Sequence, residues 1–88
     1  MTPQAQKAFD ELKALGAPVL DRGGDNDGGH FIISGEDNSN EIWADYYKEF
    51  GGPGLDDFGV NLKINAILEK HGLFAEWYNP GFLVVHTA

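Results

Sequence analysis

The sequence predicts one α+β domain: an antiparallel sheet of four to five strands with two helices on one face, in the order α-β-β-(β)-α-β-β. Three observations lead there. Two segments carry apolar residues at helical spacing. Short runs of strand-forming residues alternate with turns rich in glycine and acids. The 88 residues, 42% of them hydrophobic, suffice for one modest core.

The first helix opens at Thr2, whose hydroxyl can cap it, and Pro3 suits the first helical position. Ala5, Ala8, Phe9, Leu12 and Leu15 share a face, which is read as core, and Gly16 with Pro18 ends the run. Val19 and Leu20 start a short strand that enters a glycine- and aspartate-rich loop ending at Gly29. A second strand is expected over His30 to Gly35, and Glu36 to Asn40 form a polar turn.

Glu41 to Phe50 can be read in two ways. Trp43, Tyr46, Tyr47 and Phe50 lie at helical spacing, yet Ile42 to Tyr47 is rich in strand formers and follows a strand after a short turn. The strand reading, paired with Phe31–Ser34, is preferred over the helix. The second helix is placed over Asn61 to His71, with Val60, Ile64, Ile67, Leu68 and His71 on one face and Gly72 as its stop. The chain then forms a hairpin around Asn79-Pro80-Gly81, with Gly81 expected in the left-handed position. Its predicted pairs are Tyr78 with Phe82, Trp77 with Leu83, Glu76 with Val84, Ala75 with Val85, and Phe74 with His86.

Composition narrows the function classes. The formal charge of −8 lies in residues 21–57, where ten acids face only Arg22 and Lys48. Direct binding of nucleic acid is therefore not expected, because it requires a basic footprint, and an anionic membrane surface is disfavoured for the same reason. The absence of cysteine excludes disulfides, thiolate zinc sites and cysteine nucleophiles, and suits a reducing compartment; the cytoplasm is the expected location. No apolar run is long enough to span a bilayer, and no signal-peptide core follows the N-terminus.

Candidate chemistry is sparse. Asp25-Asn26-Asp27-Gly28 resembles a fragment of a calcium loop, but no register supplies carboxylates at both its first and twelfth positions together with the turn glycine. It is read as a solvated turn, and neither a metal nor a cofactor is predicted. The glycine pairs Gly23-Gly24 and Gly28-Gly29 lack phosphate-loop spacing, and no Gly-x-Ser-x-Gly pattern is present. His30 could meet Asp21, Asp25 or Asp27 as an acid–base pair, which defines a small hydrolase or metal-dependent enzyme as one alternative. His71 is read as a C-terminal helix residue, and His86 as a surface partner of Glu76.

Two surfaces could meet a partner. One is the aromatic group Trp43, Tyr46, Tyr47 and Phe50, preferred as core. The other is the outer hairpin face of Phe74, Tyr78, Phe82 and His86, too apolar for solvent and too polar for deep core. These observations favour a non-enzymatic protein-binding or regulatory domain that uses the hairpin face, with a partner protein or as a homodimer. An acidic decoy that imitates DNA and blocks a basic nucleic-acid-binding protein is a second alternative.

His71-Gly72-Leu73, Glu76-Trp77 and Asn79-Pro80-Gly81 ahead of an apolar strand carry one likeness. Through them the segment from Asn61 to Ala88 resembles small bacterial and phage-borne proteins of a family without known function. That resemblance implies a bacterial or phage setting and assigns no activity and no functional residue.

Overall fold

The computed structural model describes residues 2–21, 29–36, 41–47, 52 and 54–88. Thr2 accepts a hydrogen bond from the Ala5 amide at 3.2 Å and starts α1 (Pro3–Leu15), which Gly16 ends in the left-handed conformation at φ 93°. The helix leads into β1 (Val19–Leu20) and β2 (Phe31–Ser34). Asn61 caps α2 (Leu62–Lys70), and the chain finishes with the hairpin of β3 (Leu73–Asn79) and β4 (Phe82–Thr87). The domain is thus α+β, and its described residues form four antiparallel strands, within the expected four to five, in the spatial order β1-β2-β4-β3.

Alternation along the strands divides the sheet into two faces. Phe31, Ile33, Leu83 and Val85 point to the helices, and meet Ala5, Ala8, Phe9 and Leu12 of α1 and Ile64 and Leu68 of α2 in one core. Phe9 and Phe31 pack edge to face at 5.2 Å. Leu15 departs from the expected helix face: it is 49% exposed, in the last turn before Gly16. On the opposite face Ile32 and Val84 are also buried, and Gly29 lies against Val84, so closely that a Cβ there would overlap the valine methyl.

The expected pairing of Glu41–Phe50 with Phe31–Ser34 does not occur. Both edges of β2 are taken, by β1 and by β4. Residues 41–47 instead run beside the segment ahead of α2, with a single bridge between Ala44 and Val60. Trp43 and Ala44 enter the core, whereas Tyr46 and Tyr47 stay at the surface; Phe50 lies outside the described residues.

The hairpin keeps four of its expected pairs, from Phe74–His86 to Trp77–Leu83. It then shifts. Phe82 pairs with Asn79, leaving Tyr78 as the extra residue of a bulge, and Gly81 is not left-handed. The cause is Asn79, whose Oδ1 accepts from the Gly81 and Phe82 amides at 2.7 and 3.2 Å and closes the turn through its side chain. The bulge supplies local twist that a left-handed glycine would otherwise provide.

α1 and α2 are clamped by Glu11, which accepts from Lys70 Nζ at 2.6 Å and stands 2.6 Å from His71 Nε2. The Lys70 hydrogen bond, and after it the His71 one, hold the Glu11 carboxyl below the ordinary range. A depressed folded-state pKa contributes stability above the unfolded value, and this is lost as pH falls through the folded value. Glu11→Gln is therefore expected to lower Tm modestly at pH 6. The difference should be smaller at roughly pH 3, below the usual glutamate range, in paired thermal melts. An equal difference at both pH values would refute the clamp.

Candidate functional site

β3 is an edge strand, and among the described residues nothing pairs with its open side. Its side chains alternate between the two sheet faces, and aromatic rings gather along it on both. On the outer face Phe74 is 41% and Tyr78 56% exposed. Phe74 lies against the His86 ring at 5.5 Å, and Tyr78 stacks on Phe82 at 5.1 Å with only 15° between the planes. All four predicted surface residues therefore share this side of the hairpin. The bulge keeps Tyr78 beside Phe82 although the two are no longer backbone partners. Between the two ring pairs is a shallow depression of about 300 Å³ lined by Glu76, Tyr78, Val84 and His86. Glu76 and His86 border it together, and the His86 ring lies against Phe74.

On the helix side of the same edge stands Phe58, 69% exposed. Its position is set by local chemistry. Asp56 Oδ1 accepts from the Phe58 amide at 2.7 Å and the Val60 amide at 3.0 Å, while Oδ2 accepts from Asn65 Nδ2 at 2.7 Å. Gly59 follows at φ 82°, a backbone conformation a side chain would strain. The Trp77 indole then donates to the Phe58 carbonyl at 2.9 Å, which ties the loop to β3. A hydrogen-bonded loop thus holds an exposed ring. Tyr46 extends the cluster, edge to face with Trp77 at 5.4 Å and with Tyr47 at 5.6 Å. A groove of about 390 Å³ runs between this loop and the strand, floored by Val60 and Leu83, walled by Phe58, Phe74 and Trp77, and rimmed by Asp56 and Glu76.

Phe58 escaped the sequence reading because an isolated aromatic between Asp57 and Gly59 carries no periodic signal. The cue was Asp56-x-x-Gly59, an aspartate positioned to accept amides of the turn it precedes. The neighbouring Asn61 is buried and fully engaged. Its Oδ1 caps α2 through the Lys63 amide at 2.8 Å, and its Nδ2 donates to Glu41 Oε2 at 2.9 Å and the Ile42 carbonyl at 3.0 Å.

The other candidates are dispersed. His30 is held by Thr87, Nε2 to Oγ1 at 2.8 Å, and neither depression includes His30 or Asp21. Asp25, Asp27 and the rest of the calcium-like turn lie outside the described residues. Among the described residues no group of three or more histidines and carboxylates could hold a metal ion, and no helix is long and apolar enough to cross a membrane. Of the described acids in the charged stretch, Glu41 is bonded to Lys63 at 3.0 Å, Asp45 accepts from the Tyr47 amide, and Asp56 holds the Phe58 loop.

Compared with protein-family models, with curated proteins and with solved structures, the chain matches none. Its function is read from geometry.

Proposed function

We propose that this domain is a non-enzymatic protein-binding or regulatory module whose docking surface is the outer face of the C-terminal hairpin, centred on Phe74, Tyr78, Phe82 and His86. The observation that carries the reading is the exposure of Phe74 and Tyr78, each packed against a neighbouring ring rather than against a helix. Exposed rings held in fixed orientation suit recognition, because little conformational freedom is lost when a partner covers them. Grouped apolar side chains of this kind mark surfaces that another molecule covers. The occupant is a partner protein or a second copy. The cysteine-free sequence suits the cytoplasm, and we place the protein there.

Selection of binders from a random peptide display library, followed by NMR mapping of each binder, tests this. Binders should perturb Phe74, Tyr78, Phe82 and His86, and the exposed-site double variant Phe74→Ser/Tyr78→Ser should weaken them at least about tenfold while the domain stays folded. Sedimentation over a range of concentrations reports the homodimeric form. Binders that map elsewhere and ignore the double variant, from a domain that also stays monomeric, would overturn the reading.

A further inference from the structure

The geometry points to the occupant and its mode of attachment: a basic, extended segment of a partner protein that adds as a strand to the open edge of β3, next to the proposed hairpin surface and resting on that reading. Two observations combine here. The first is the edge itself. β3 has seven residues, with alternate N–H and C=O groups directed away from β4, and no described residue satisfies that side. The second is the groove beside it. It is formed by Phe74, Ala75, Glu76 and Trp77 of the strand, with Phe58 as the facing wall. An added strand along 74–77 would direct every second side chain into this groove. The intervening side chains would fall over Phe74 and Glu76 on the outer face.

Charge selects the partner. The rim carries Asp56 and Glu76, with exposed Asp57 adjacent, and no lysine or arginine lines the groove. Asp56 is held by three neutral N–H donors rather than by a cation. Glu76 makes no ion pair with a described residue, whereas Lys63 and Lys70 are engaged by Glu41 and Glu11. An acidic rim around an apolar floor fits lysine or arginine alternating with aliphatic residues. It opposes a second copy of this chain, which would set a second acidic rim against the first.

The probe is an end-capped nine-residue peptide alternating lysine and valine, titrated into the full domain. It should protect β3 backbone amides from hydrogen exchange and shift Phe58 and Trp77 resonances. Binding should weaken with added salt, and Glu76→Lys, at an exposed position, should reduce affinity about tenfold. A peptide with glutamate in place of lysine should not bind. One methylated on alternate backbone nitrogens should lose the amide protection. Shifts confined to Tyr78, Phe82 and His86 would overturn strand addition while leaving the hairpin surface intact. Absence of any shift would overturn it as well, with the peptide selection deciding the hairpin surface independently. Protection of β3 amides in the concentrated domain alone would replace the partner with a second copy and overturn the choice of a basic segment.

Discussion

Phe31→Ala should cost about 3–5 kcal/mol and leave little of the domain's stability, since Phe31 is fully buried. The ring fills the space between the sheet and α1, edge-on to Phe9, and β2 is hydrogen-bonded on both sides, so the backbone has little freedom to close the void. A domain of 88 residues has roughly 4–13 kcal/mol in total at about 0.05–0.15 kcal/mol per residue. Urea denaturation followed by circular dichroism measures the loss. Leu15→Ala is the matched control: its side chain was expected in the core but is exposed, and its removal should change stability by no more than about 0.5 kcal/mol. A loss below about 1 kcal/mol for Phe31→Ala would mean that the core lies elsewhere.

The second large effect is expected at Asn61, where one atom is exchanged. Asn61→Asp keeps the oxygen that caps α2 but removes both Nδ2 hydrogen bonds, and sets a second carboxyl beside Glu41 Oε2 and the Ile42 carbonyl. A buried acceptor left without a donor costs about 1–3 kcal/mol, so a loss of that order at pH 7 follows. The pH dependence distinguishes this from simple loss of packing. Two carboxyls in contact cannot both ionise, so the folded-state pKa of the pair rises above its unfolded value, and the penalty grows as pH rises through it. In the wild type the sign is opposite. The Lys63 hydrogen bond, then that of Asn61, holds Glu41 below the ordinary range, so its contribution is lost as pH falls. The gap between variant and wild type should therefore narrow from pH 7 towards pH 4 in parallel urea titrations. A constant gap would show that the introduced carboxyl does not meet Glu41.

Much of the fold was legible because its signals are local. Thr2, Pro3 and Gly16 bound α1, and Asn61 with Gly72 bounds α2, through groups within a few residues of one another. The hairpin register from Phe74 to Trp77 followed from loop length and alternation. The last pair failed because the Asn79 side chain, not the backbone of Gly81, closes the turn. Residues 41–47 were misread for a different reason. Trp43, Tyr46 and Tyr47 fit a strand as well as a helix, the strand was preferred, and its pairing with β2 was prevented by β1 and β4 occupying both edges of β2. The aromatic site was half visible. Phe74, Tyr78, Phe82 and His86 follow from the hairpin alone, but Phe58 joins them only through Asp56 and the Trp77 indole, nineteen residues away.

By itself the sequence determined two capped helices, a terminal hairpin and a surplus of carboxylates between residues 21 and 57. These depend on neighbours along the chain, where the backbone's own geometry enforces the contact. The tertiary structure alone decided that β4 lies inside the sheet and β3 at its margin, and that a loop from before α2 sets a ring beside that margin. Strand order is a competition for shared hydrogen-bonding edges and one buried face. Its outcome rests on every segment at once.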